Sequence, residues 1–144
     1  MKDSFVNSMA KYLPHFMRVF GRKIINAAPK DLSSQHVLVI EMLKDKNVCQ
    51  MKDVAGVLGV AMSTATALID RMVETNYVKR AADTNDRRVV LIHLTSKAQK
   101  ISTLIDKVRS ETVKKVYSVL TSDEQDTLLA LIKKVVEHIE NEHI

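Results

Sequence analysis

The sequence predicts a mainly α-helical chain with one small β-hairpin, and three observations predict it. Apolar residues recur at steps of three and four over most of the chain, the spacing of amphipathic helices. Glycine and proline are scarce, three and two in 144 residues, so little of the chain need be loop. Only after Asn76 does the pattern change, to two β-prone runs around a turn-forming cluster. With 46% hydrophobic and 27% charged residues, the chain suits one folding unit, residues 1–144, around one core.

Residues 4–28 set Phe5, Met9, Tyr12, Leu13, Phe16, Phe20 and Ile24 on one stripe, which predicts a first helix kinked at Pro14 and broken at Pro29. Ser33 and Ser34 offer hydroxyl caps to a second helix carrying Val37, Ile40, Met42 and Leu43, which leaves through Asp45-Lys46-Asn47. A third, short helix fits residues 51–58 and a fourth fits 62–75, with only Gly59-Val60-Ala61 between them. So short a link makes the two cross sharply. Tyr77-Val78-Lys79-Arg80-Ala81 and Val89-Val90-Leu91-Ile92-His93-Leu94 then flank Asp83-Thr84-Asn85-Asp86, which reads as a hairpin. Residues 97–120 return to helical spacing, and Thr121 and Glu124 stand as a capping box before a last helix with Leu128, Leu131, Ile132, Val135, Val136 and Ile139 on one face.

Composition narrows the function classes. A net charge of +5 favours a polyanionic partner only weakly, and 4% aromatics with no Trp disfavour a base-stacking platform for single strands. Duplex DNA stays open. A single cysteine, Cys49, permits no internal disulfide and suits a reducing compartment. The start of the chain lacks a signal-peptide pattern, and no apolar run approaches the ~18 residues of a membrane span. A cytoplasmic protein with no membrane partner is the expectation.

Residues 51–75 have the internal logic of a helix-turn-helix. Ala55 and Ala65 are small enough for a close crossing, and Gly59 can take the left-handed conformation that ends a helix without steric cost. Ala65, Leu68, Ile69 and Met72 make the buried stripe of the second helix. Ser63, Thr64, Thr66, Ala67, Asp70 and Arg71 are then left to its sides and outer face, where small polar side chains suit a major groove. An exposed helical hairpin would carry the same residues, so the following segment decides. There Lys79, Arg80, Arg87 and Arg88 bracket a hairpin placed to reach the DNA backbone or minor groove.

At this point the sequence resembles the MarR (multiple antibiotic resistance regulator) family. The resemblance rests on Ala55-Gly56-Val57-Leu58-Gly59-Val60, Ser63-Thr64-Ala65-Thr66, Leu68-Ile69-Asp70-Arg71-Met72 and Val78-Lys79-Arg80, followed by Asp86-Arg87-Arg88 and a strand closing on Leu94-Thr95. It implies a winged helix-turn-helix lobe, residues 32–96, flanked by dimerisation helices at 1–31 and 97–144. By the same resemblance Arg88 is the wing arginine and Asp70 the acid that pairs with it, so that Asp70 and Asp86 orient the wing. Three positions depart from the family pattern. Ala61 replaces a capping Ser, which points to a recognition helix starting at Ser63. Asn76 replaces a Gly and Ala67 a larger reader, which leaves base contacts to Ser63, Thr64, Thr66 and Arg71, with Ala67 against a thymine methyl.

Other residues admit two readings each. Cys49 could sense oxidants, as some members of the resembled family do, but with no basic or histidine neighbour to lower its pKa the reading preferred is a small buried hydrophobe. His15, His36, His93, His138 and His143 lack partners at metal-ligand spacing, so no metal is expected. Tyr12, Phe16, Arg18 and His36 read first as core and dimer interface. The resemblance adds a cleft where such residues hold a small phenolic or aromatic-acid effector, and no other cofactor is implied. No nucleophile elbow, phosphate loop or catalytic carboxylate pair is recognisable, so an enzyme is not expected. The resulting expectation is a sequence-specific regulator of transcription, a ligand-responsive repressor that binds double-stranded DNA as a homodimer on a pseudo-palindromic operator. The alternatives are a winged-helix protein-interaction module without DNA, or a cysteine-based redox regulator.

Overall fold

The computed structural model describes residues 2–142, so His143 lies outside the described residues. Along the chain come α1 (Asp3–Ile25), α2 (Ser34–Lys46), β1 (Cys49–Gln50), α3 (Met51–Leu58), α4 (Met62–Glu74), β2 (Val78–Ala82), β3 (Val90–Leu94), α5 (Ser96–Tyr117) and α6 (Ser122–Glu142). Two compact units divide this run, one up to Arg109 and one from Ser110.

In the first unit each helix boundary has a local cause. Ser33 caps α2 in an unusual box: its backbone N–H donates to Nδ1 of His36 at 2.9 Å, while its hydroxyl accepts the His36 N–H at 3.4 Å. Asn47, at φ 63°, turns the chain out of α2, a conformation Asn tolerates better than most residues. Asp53 then accepts the Gln50 N–H at 2.8 Å and so caps α3. Gly59 ends α3 in the left-handed region, at φ 63° and ψ 35°, while the Val60 N–H reaches back to the Ala55 carbonyl at 3.1 Å. The short link follows, and α4 begins at Met62 with Ala61 as its N-cap. The start at Ser63 is therefore corrected: extended backbone at Ala61 opens the helix without help from a side chain.

Two residues of sheet escaped the sequence pattern. Cys49 and Gln50 pair antiparallel with Ile92 and Leu91, which makes the hairpin part of a three-stranded sheet ordered β1-β3-β2. A two-residue strand is too short to show alternation.

The core of this unit joins α2, α3, α4, the sheet and the start of α5. Val39, Ile40, Val54, Ala65, Ile69, Met72, Ile92, Ala98 and Ile105 are wholly buried. Ala65, Ile69 and Met72 follow the helical repeat and fasten α4 to this core. Ile69→Ala is accordingly expected to lower unfolding stability by about 2–5 kcal/mol, measured by urea unfolding, through lost burial and a residual cavity. Helices α2 and α5 are also tied at their polar edges: Lys44 meets Asp106 at 2.5 Å, and Arg109 pairs with both Asp106 and Glu41.

Helix α1 has no buried residue, and Phe5, Met9, Tyr12, Leu13, Phe16 and Met17 are all exposed. It continues on both sides of Pro14. In the second unit, Thr121 and Glu124 form the expected capping box, with the Thr121 N–H donating to the Glu124 carboxylate at 2.8 Å. Helix α6 buries none of its residues either, although Leu131, Ile132, Val135, Val136 and Ile139 line one face. Among the described residues no single helix is long and apolar enough to cross a membrane.

Candidate nucleic-acid interface

Helices α3 and α4 meet at 108°, within the range of about 90–120° of helix-turn-helix pairs. Burial of Ala55 and Ala65 allows the close approach, and burial of Ile69 and Met72 turns the opposite side of α4 outward. On that outward side Ser63, Thr64, Ala67, Asp70 and Arg71 are exposed. Thr66 is half-buried and donates its hydroxyl to the Met62 carbonyl at 2.8 Å, so its methyl, more than its hydroxyl, is available to a ligand.

The hairpin directly follows. Asn76, at φ 62°, makes the left-handed turn out of α4 that a Gly would otherwise serve. Tyr77 anchors the base of the hairpin: it is 2% exposed and its hydroxyl donates to Asp31 at 2.7 Å. Burial, then that bond, pushes the Tyr77 phenol up to about 12, while the same bond holds the Asp31 carboxyl below its ordinary range. Lys97 lies over the Tyr77 ring at 3.9 Å and donates to the Thr75 carbonyl at 2.8 Å. The clamp of Asp31, Tyr77 and Lys97 joins three distant points of the sequence, and periodicity gives no hint of it. A lone tyrosine inside a β-prone run is its only sequence signal.

At the tip, carboxylates organise the backbone while leaving the arginines outward. Asp83 accepts the Asn85 N–H at 2.7 Å, and Asp86 accepts the Arg88 N–H at 3.0 Å. The side chains of Arg87 and Arg88 are exposed. The expected pairing of Asp70 with Arg88 is corrected: Asp70 pairs with Arg80 of β2, at 2.6 Å. The physical reason is position, since Arg80 sits at the base of the hairpin, whereas Arg88 lies in the seven-residue turn between Ala82 and Val90. Asp70 thus braces the root of the wing, and Asp86 shapes its tip. Lys79 leaves β2 on the face opposite Arg80, beside its cross-strand partner His93.

The remaining candidates stand apart from this surface. Tyr12 and Phe16 lie on the exposed stripe of α1, where Phe16 stacks on Phe20 with ring centroids 5.6 Å apart. Arg18 bonds His15 at 3.1 Å, and the His36 ring serves the α2 cap. Burial, then the nearby Arg71 charge, lowers the His36 pKa. Cys49 is 3% exposed, and burial followed by the Asp53 charge pushes its thiol up to about 11. That is the reverse of what a sensor thiolate needs. Native Cys49 is expected to react with iodoacetamide at pH 8 about a hundredfold more slowly than in the urea-unfolded chain, followed by mass spectrometry. Equal rates would contradict the burial argument. Among the described residues no three His, Cys, Asp or Glu side chains gather as a metal would require.

A sharply crossed helix pair, a rigidly anchored hairpin and outward arginines define a winged helix-turn-helix protein. A model of the MarR family matches residues 32–90. The HTH-type transcriptional regulator MgrA of Staphylococcus aureus is 33% identical over 140 residues, spanning 94% of this chain and 90% of that one. The chain belongs to the MarR family. Two solved structures share its fold: a MarR family protein from Bacillus stearothermophilus (TM-score 0.87, 21% identity, 97% of this chain and 99% of that one) and Streptococcus pneumoniae FabT in complex with DNA (TM-score 0.79, 22% identity, 94% and 98%).

Proposed function

We propose that the protein is a sequence-specific, double-stranded DNA-binding transcription regulator acting as a homodimer in the cytoplasm. The observation that carries this reading is the 108° helix pair followed at once by a braced hairpin with Arg87 and Arg88 outward. The matched relative MgrA is a regulator, and FabT carries DNA on the same fold.

In this reading Ser63, Thr64, Ala67 and Arg71 face base edges, with Thr66 supporting through its methyl. Arg87 and Arg88 reach the backbone or minor groove beside them. Lys79 and Arg80 are less direct participants, because Arg80 is engaged by Asp70 and Lys79 faces away from it. Residues 32–96 form the DNA-binding lobe, while 1–31 and 97–144 pair the two subunits. Both α1 and α6 expose runs of large apolar side chains, the kind of surface that marks a protein–protein contact. Two-fold symmetry then sets the recognition helices about 34 Å apart, so the operator is a pseudo-palindrome.

Regulation is proposed as repression relieved by a small phenolic or aromatic acid held near Tyr12, Phe16, Arg18 and His36. Such an effector acts by preferring a lobe spacing that mismatches DNA, and its power is limited by its differential affinity for the two spacings. Selection of bound genomic fragments by the purified protein, repeated with and without phenolic acids, tests the whole reading. Recovery of one symmetric motif, released by such acids, is the expected result. Fragments without a common motif would overturn sequence-specific regulation.

A further inference from the structure

The geometry points to a second ligand site, for a small oxyanion, beneath the wing on the face of the sheet turned away from Arg80. Lys79 and its cross-strand partner His93 line an open cavity of about 430 Å³, whose other walls are the end of α2 and the start of α5. That volume lies within the range of small-molecule sites, about 300–1,000 Å³.

The lining is rich in donors and positive. Lys79 makes no ion pair among the described residues, whereas Lys44 on the same wall is already neutralised by Asp106 at 2.5 Å. Asp106 is further engaged by Arg109, and none of the lining residues carries a carboxylate. Asn47 and Gln99 add amide groups, and His93 a ring nitrogen. Ser102 supplies an independent sign. It is 5% exposed, lines the cavity, and its hydroxyl makes no hydrogen bond to another described residue, while the adjacent Thr103 returns its own to the Gln99 carbonyl at 3.1 Å. No fully enclosed side-chain oxygen or nitrogen goes unpaired among the described residues, so the Ser102 hydroxyl keeps some contact with solvent, on a residue of the cavity wall. Hydroxyls so nearly buried are usually bonded, and this one fits a cavity whose occupant supplies an acceptor.

A group with several acceptor oxygens and negative charge satisfies Lys79, His93 and Ser102 together. Carboxylates and phosphate monoesters share that chemistry. The site involves none of Tyr12, Phe16, Arg18 and His36, and it stands whether or not the wing meets DNA.

The test uses the full-length protein alone, titrated at constant ionic strength with inorganic phosphate and, separately, citrate, while ring resonances of His93 are followed by NMR. A saturable shift is expected, with affinity about tenfold weaker in Lys79→Gln and reduced in Ser102→Ala, and unchanged in Arg88→Ala. Response to phosphate alone assigns the site to phosphate monoesters, and response to citrate alone to carboxylates. A response that never saturates, or one equally strong in Lys79→Gln, overturns the site. Because no DNA is present, its failure is distinct from failure of the regulatory reading.

Discussion

Arg87→Ala combined with Arg88→Ala is expected to weaken operator binding by about ten- to a hundredfold near physiological salt, measured by gel shift on a selected fragment. Both side chains are exposed and neither is engaged by a carboxylate in a described ion pair, so their charge is available to DNA. Each lost phosphate contact should also flatten the dependence of log affinity on log salt by about one unit per subunit. The fold should not suffer. The Arg88 bond that shapes the tip runs from its backbone N–H to Asp86, and alanine keeps it. Thermal unfolding of the variant should therefore match the parent protein. A shift unaffected by the double substitution would remove the wing from the interface and favour a protein-interaction module on the same fold.

Ile132→Glu is expected to turn the dimer into a monomer at micromolar concentration, read by sedimentation velocity. Ile132 is 46% exposed in the single chain and lies amid Leu131, Val135, Val136 and Ile139, all on a helix that buries nothing within its own unit. A charge there costs the isolated protomer little. In a two-fold interface it appears twice and must be desolvated without a partner, a penalty of several kcal/mol. The helical circular dichroism of α6 should persist, since Glu is a good helix former. Operator affinity should fall by at least a hundredfold, because two half-sites are no longer read by one particle. A variant that remains dimeric would move the interface away from α6.

Much of this protein is legible in its sequence because the signals are local. The short link at Gly59-Val60-Ala61, the Thr121 and Glu124 box, the left-handed Asn76 and the buried repeat of Ala65, Ile69 and Met72 all depend on residues within a turn or two of one another. The boundaries of α3 and the strands of the hairpin fall within a residue of where the pattern puts them.

What the pattern misses are the choices between equivalent partners. Arg80, Arg87 and Arg88 are alike in type and close in sequence, and only the sheet register decides that Arg80 comes beside Asp70 while the other two are carried out on the turn. Lys79 and Arg80 adjoin, yet strand alternation sends one toward a cavity and the other toward α4. The pairing of β1 with β3 and the Asp31, Tyr77 and Lys97 clamp likewise join residues far apart in the chain. The sequence by itself determined the helices, the caps of α2 and α6, the crossed pair and the existence of a basic hairpin, because hydrophobic period and turn chemistry act over a few residues. Only the tertiary structure decided which charge braces the wing, which ones face outward and which lines a cavity, because those outcomes depend on distances set when remote segments share one core.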